Sequence, residues 1–294
     1  PGCVVGMGAA SLSKDVAATG DLKVAVIQGN IPQHDYTDPG YLARAYTTYA
    51  RLTAEAAEDR PDLIVWPETA IPTLVTDDGW GSSLSAIARD AGATLIAGGY
   101  STCPDAASDG DCNAAFVYDR SGGKLGEYHK VRLVPFGEFV PMRRYLGFLE
   151  RYRVRDEDVA RGGEHALIDT EFGKAGISIC FESLFPQIAR VETARGANVL
   201  FVITYDAWFK RTQAAQQHLM MARLRAIENR RYVVRAAATG VSAIIDPFGR
   251  IVGSKGLFEE GIISARIEPL RASTVYTRTG DYFAWRSEER RVGK

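Results

Sequence analysis

"AGISICFESLFP", residues 175–186, decides the reading of this chain. An apolar run ends on Cys180, and Phe181 and Glu182 follow at once. A buried strand that stops on a thiol has two explanations. The cysteine is a small packing residue, or it is a nucleophile aimed from a rigid strand end into a cleft. The choice depends on which other groups the chain can bring to the same place.

Two more apolar runs end on ionisable side chains. "DLIVWPE" (62–68) closes on Glu68, and "LGEYHK" (125–130) closes on Lys130. Taken singly, each has an ordinary explanation: a solvated turn for the carboxylate, a surface position for the lysine, packing for the cysteine. Together the three residue types make a nucleophilic set. A free thiol has a pKa of about 8.5, so little thiolate exists at neutral pH. A carboxylate beside it can take the proton as general base. A nearby ammonium then steadies the oxyanion that forms when sulfur adds to a carbonyl. The product is a thioester, which a second nucleophile resolves.

The bulk numbers leave room for such an enzyme. The chain has 294 residues, 46% hydrophobic and 24% charged, with a net charge of −1. That suits one soluble globular unit with an ample core. No global field favours nucleic acid, and no basic arm or zinc-finger spacing exists. The four cysteines contain no CxxC pair and the four histidines are scattered, so a metal centre has little support. Cys103 and Cys112 bracket the polar loop "CPDAASDGDC". They either close as a disulfide, which suits an oxidising compartment, or stand as two separate thiols near a hairpin tip. No stretch of 18 apolar residues exists to span a bilayer.

Periodicity marks the elements. "LKVAVIQGN" (22–30) reads as a buried strand, and residues 41–58 as an amphipathic helix. A short helix is expected over 82–91 and a strand over 93–100. Two strands around a Ser-Gly-Gly turn occupy 113–130, a Pro- and Gly-bearing loop 133–141, and an irregular mobile excursion 143–163. Residues 166–180 read as a hairpin turning at Phe172-Gly173, and 184–195 as a helix. A strand over 198–206 precedes a helix over 212–230, whose buried side is expected to carry Leu219, Met220, Leu224 and Ile227. Late strands follow at 232–239, 241–247 and 261–267. Alternating strands and helices with no repeat or linker predict one α/β domain, and pattern alone predicts a doubly wound parallel sheet.

"WPE" at 66–68, "HK" at 129–130 and Cys180 before Phe-Glu resemble the Glu-Lys-Cys triad of the nitrilase superfamily, in its order and with separations of 62 and 50 residues. Further stretches narrow the likeness: "VIQGNIPQ" (26–33), "WPETAIP" (66–72), "LVPFGEFVP" (133–141), "DAWF" (206–209), "QHLMMARLRAIENRR" (217–231) and "YTRTGD" (276–281). These are similar to the apolipoprotein N-acyltransferase family over residues 22 to 285. The resemblance implies an α-β-β-α sandwich of two mixed sheets flanked by helices, in place of the doubly wound sheet.

It also implies a bacterial inner-membrane enzyme whose catalytic domain lies on the periplasmic side. Such an enzyme moves an acyl chain from a phospholipid to the α-amino group of a diacylglyceryl apolipoprotein, without a cofactor. Glu68 would be the base, Lys130 the oxyanion-supporting cation and Cys180 the acyl-carrying nucleophile. Glu138 would support the lysine and the thiol, and Glu182 would shape the pocket. Phe181, Trp208, Leu146 and Phe148 are candidate substrate contacts. The uncharged start "PGCVVGMGAASLS" would end a preceding membrane segment, with residues 1–21 as stub and linker, and the chain would return to the membrane after the domain. Residues 286–294 read as a non-native tail. The sequence departs from the family at Phe181, where a tyrosine is usual, and at Tyr205, where an asparagine is usual.

Two other functions share part of this pattern. A soluble nitrilase-type amidohydrolase would carry the same triad and let water resolve the thioester. A non-catalytic binding module would keep the fold with no need for all three side chains.

Overall fold

"LKVAVIQ" forms β1 (Leu22–Gln28), and its side chains are almost all buried because both of its faces are covered. Helix α1 (Pro39–Ala57), β2 (Leu63–Val65), α2 (Trp80–Ala91), β3 (Thr94–Thr102), β4 (Asp111–Tyr118) and β5 (Lys124–His129) follow. The second half runs β6 (Ile168–Thr170), β7 (Gly173–Ile179), α3 (Pro186–Ala194), β8 (Ala197–Thr204), α4 (Ala214–Asn229) and β9 (Val233–Ala237). It ends with β10 (Ser242–Ile245), β11 (Ile251–Lys255), β12 (Gly261–Ile267) and α5 (Val275–Thr279). The computed structural model describes residues 20–31, 39–77, 79–103, 110–142 and 159–282.

The strands form two six-stranded sheets, ordered β12-β1-β2-β3-β4-β5 and β11-β10-β9-β8-β7-β6. Each has parallel pairs at its centre, β1–β2–β3 and β7–β8–β9, where a helix makes each crossover. Each is completed by antiparallel strands. The inner faces pack together through Val24, Val65, Ile96, Ile177, Phe201 and Ile203, among others. The outer face of the first sheet meets α1 and α2 through Tyr49, Leu52, Trp66 and Leu84. The outer face of the second meets α4 through Leu219, Ala222 and Ala226.

This overturns the doubly wound sheet expected from pattern alone and agrees with the two-sheet sandwich. A βαβ alternation looks the same in either architecture. Here each sheet has helices on one face only, and its other apolar face is covered by the opposite sheet.

Helix α4 corrects a second expectation. Leu219 is buried, but Met220, Leu224 and Ile227 are 48%, 41% and 41% exposed. The inward face instead carries Ala215, His218, Ala222, Arg225, Ala226 and Asn229. Small residues let the helix sit close to the sheet, and Asn229 Nδ2 finds a partner inside, donating to the Arg225 carbonyl at 3.0 Å. A reading by hydropathy places such residues on the wrong side. Strand β11, mostly exposed and half-exposed, has no apolar run and was missed for that reason. Cys103 and Cys112 are joined as a disulfide, with their Cα atoms 5.5 Å apart.

Candidate active site

The carboxyl ends of β2 and β5 in one sheet and of β7 and β8 in the other meet at one end of the sandwich. Cys180 is the first residue after β7 and has φ 53°, a left-handed conformation that a non-glycine residue adopts only under restraint. A 3₁₀ turn over Cys180–Leu184 starts there, and Pro186 opens α3 as its first residue.

Glu182 ties this turn to the other sheet. Its buried carboxylate accepts from the Ile179 N–H at 2.8 Å, the Val131 N–H at 2.8 Å, the Arg132 N–H at 3.0 Å and the Tyr128 hydroxyl at 2.9 Å. Burial holds its carboxyl above the usual range, and the backbone donors pull the other way. The loop that leaves β5 and the turn that carries the thiol are thus fixed to one side chain.

Lys130 is 1% exposed and lies between two carboxylates. Its Nζ is 2.8 Å from Glu138 Oε1 and 3.3 Å from Glu68 Oε1. Burial disfavours the ammonium, but Glu68, Glu138 and the neighbouring Cys180 outweigh that, so its pKa stands well above the usual value. Glu68 Oε1 also accepts from Asn113 Nδ2 at 2.6 Å, and Oε2 from the Tyr205 N–H at 2.7 Å. Glu138 Oε2 accepts from the Val134 N–H at 2.8 Å. The "WPE" segment lies flat on β3 because residue 98 is glycine. A Cβ there would stand 2.7 Å from the Glu68 Cα.

Cys180 feels both ionic partners. Burial pushes its thiol up to about 12, the Glu68 charge adds to this, and Lys130 works against it. The resting sulfur therefore keeps its proton at neutral pH and needs a base to react.

Glu68, Lys130, Glu138 and Cys180 all line one cavity of about 630 Å³. That is within the ~300–1,000 Å³ range of small-molecule sites. Its outer wall is mostly hydrocarbon, from Phe136, Phe181, Leu184, Trp208, Phe209 and Met221. Phe181 and Trp208 are thus at the cavity as expected. Glu182 stands behind it, and Leu146 and Phe148, with the rest of 143–158, lie outside the described residues. Tyr205 also lines the cavity, and it contributes its amide to Glu68, a contact that does not depend on the side-chain change noted above.

Sequence reasoning missed Asn113, which bridges Glu68 and Glu138 from β4. It also missed a buried polar cluster behind Cys180, made of Asp206, Arg235, His218 and Ser183. "DAWF" and "QHLMM" were visible as motifs, but nothing local tells which partners their polar side chains meet. Near β4, Cys103, Cys112 and His129 lie close enough together to suggest a metal site among the described residues, but both sulfurs are used by the disulfide.

Residues 23–276 match the family model described as carbon-nitrogen hydrolase. The chain is 38% identical over 269 residues to the apolipoprotein N-acyltransferase of Geobacter metallireducens, covering 90% of this chain and 51% of that protein. It is 35% identical over 269 residues to the apolipoprotein N-acyltransferase of Pseudomonas syringae pv. tomato, with the same coverage of 90% and 51%. The chain spans about half the length of these curated relatives. Among solved structures, Saccharomyces cerevisiae Nit3, a member of the nitrilase superfamily, superposes with a TM-score of 0.68 at 21% identity, covering 87% of this chain and 93% of that one. The amidase of Nesterenkonia sp. AN1 gives 0.65 at 19% identity, covering 94% and 99%. Among the described residues, no helix is long and apolar enough to cross a membrane.

Proposed function

The chain belongs to the carbon-nitrogen hydrolase family, and from that premise we propose that it is the catalytic domain of an apolipoprotein N-acyltransferase. The observation that carries this reading is the mainly apolar cavity of about 630 Å³ that leads to Cys180 beside the Glu68–Lys130–Glu138 cluster. Each buried methylene contributes about 0.8 kcal/mol, so such a wall favours a long acyl chain over a small amide.

In this mechanism Glu68 takes the Cys180 proton as sulfur attacks the ester carbonyl of a phospholipid. Lys130 steadies the resulting oxyanion. The tetrahedral intermediate collapses, the C–O bond breaks, and Glu68 returns the proton to the leaving lysophospholipid oxygen. The acyl group is then a thioester on Cys180. The α-amino group of a diacylglyceryl apolipoprotein attacks it, Glu68 accepts the amine proton, and the thiol is re-formed. Glu138 holds Lys130 in place, and Glu182 holds the turn that presents the sulfur. Apolar walls keep water from the thioester until the amine arrives. The catalytic domain runs over residues 22–285. The half of the relatives' length that this chain does not span supplies the membrane part, and the domain works on the periplasmic face of a bacterial inner membrane.

Intact-mass measurement after incubation with phospholipid vesicles tests this. A fatty-acyl mass on Cys180, released by hydroxylamine and absent in Cys180→Ala, is expected. Wild-type protein that gains no acyl mass but hydrolyses small amides would establish the amidohydrolase instead.

A further inference from the structure

The polar cluster behind Cys180 has no part in the mechanism above, although it touches the nucleophile's own backbone. His218, on α4, is 4% exposed, and its Nε2 lies 3.1 Å from the Cys180 carbonyl oxygen and 2.7 Å from Ser183 Oγ. Ser183 Oγ donates to the same carbonyl at 2.9 Å. On the other side of the ring, His218 Nδ1 is 3.0 Å from Asp206 Oδ1. Asp206 is held in turn by Arg235 Nη2 at 2.5 Å and Thr204 Oγ1 at 2.8 Å. Arg235 is fully buried, and Gly240 leaves the space that Asp206 fills, since a Cβ there would stand 2.6 Å from the Asp206 Cβ. Burial works against the Asp206 charge, but Arg235 and then His218 bring its pKa down to about 2. His218 Nδ1 meets both the Asp206 carboxylate and, at 3.2 Å, the Arg235 Nη2 donor, whereas Nε2 faces the acceptor-only Cys180 carbonyl, so the partners assign a proton to Nε2. Nε2–H then donates to the Cys180 carbonyl, beside the Ser183 hydroxyl that donates to the same oxygen. The two donors together pin the Cys180 carbonyl.

A peptide is planar and trans, so its carbonyl and the next N–H point to opposite sides, and no cis bond occurs among the described residues. Pinning the Cys180 carbonyl therefore sets the direction of the Phe181 N–H. It also holds the left-handed backbone of Cys180, a strained conformation that persists only where the surroundings impose it. We propose that His218, braced by Asp206 and Arg235, is a positioning residue: through the Cys180 carbonyl it orients the Cys180–Phe181 peptide so that the Phe181 N–H joins Lys130 as a donor to the oxyanion. This rests on the reading of Cys180 as the acyl-accepting nucleophile. It requires neither a lipid donor nor a lipoprotein acceptor.

Two thiol reagents separate positioning from general damage. p-Nitrophenyl acetate acylates the sulfur through an oxyanion, and iodoacetamide alkylates it without one. In His218→Leu the burst of p-nitrophenol per titrated thiol should slow about 10- to 100-fold, part of the ~10²–10³-fold cost of removing an oxyanion donor. Alkylation should stay within about 3-fold, and His218→Gln, which keeps an amide donor, should recover about half of the loss on a logarithmic scale. If His218→Leu does not fold, Ser183→Ala should show the same split at roughly 3- to 10-fold. An unchanged burst, or an equal fall in both reactions, would overturn the proposal. A wild-type protein with no burst at all would remove the nucleophile reading, and this inference with it.

Discussion

The two sheets bring buried carboxylates toward Cys180 in opposite ways. From the first sheet's side, Glu68 and Glu138 enclose the Lys130 ammonium, so the charges are matched inside the protein. From the second, Glu182 and Glu192 have no cation in contact among the described residues. Glu182 survives on three backbone N–H groups and a hydroxyl. Glu192, 1% exposed on α3, has one oxygen without a partner, and burial followed by the Glu182 charge drives its carboxyl far above the usual range. The difference teaches that depth alone does not make a carboxylate reactive. One beside a buried ammonium has its charge matched on the spot. One buried without a cation, such as Glu192, is pushed toward its neutral form unless donors surround it as they do Glu182.

Removing the cation should separate the two regions most sharply. Lys130→Met leaves two buried carboxylates uncompensated and should cost about 3–5 kcal/mol of stability. It should also slow acyl transfer about 10²–10³-fold. Urea unfolding and single-turnover thioester formation measure the two effects. A stable, active Lys130→Met would break the contrast.

On the other side, Glu182→Gln replaces one acceptor oxygen with a donor facing N–H groups, and about 1–3 kcal/mol of stability should be lost. Its effect on rate should exceed its effect on KM, because the turn carrying Cys180 loosens. A steady-state comparison of kcat with KM checks this.

The pH dependence of the thiol sharpens the same point. With burial and Glu68 raising Cys180 to about 12, alkylation by iodoacetamide should keep rising through pH ~9. A plateau near the ordinary thiol value would show that Lys130 prevails over burial.

The smallest effect belongs to Glu192. A carboxyl raised in the folded state contributes stability that is complete below its unfolded pKa and is lost as pH climbs toward the folded value. Stability should therefore decline from about pH 5 upward, and Glu192→Gln should flatten that decline. Urea midpoints across the pH range give the slope directly.

Glu68, Lys130 and Cys180 could be picked out in the sequence because each stands at the end of a strand-like segment, and the likeness of "LVPFGEFVP" to a known motif added Glu138. Asn113 could not be found that way. It lies inside a strand whose neighbours are buried and apolar, and its role exists only because β4 is antiparallel to β3, which places it beside Glu68. His218 and Arg235 were hidden for a related reason. They occupy helix and strand positions that hydropathy assigns to solvent, yet they face inward and meet at Asp206.

The sequence by itself determined where most of the strands and the longer helices form, and that a thiol, a carboxylate and an amine stand at strand ends, since burial and backbone preference are local and leave a periodic trace. Only the tertiary structure decided that the two sheets pack face to face and that their carboxyl ends meet at one cavity. It also decided which polar side chains turn inward. Those outcomes depend on contacts between segments more than a hundred residues apart, such as the Tyr205 amide on Glu68, and short-range pattern holds no record of them.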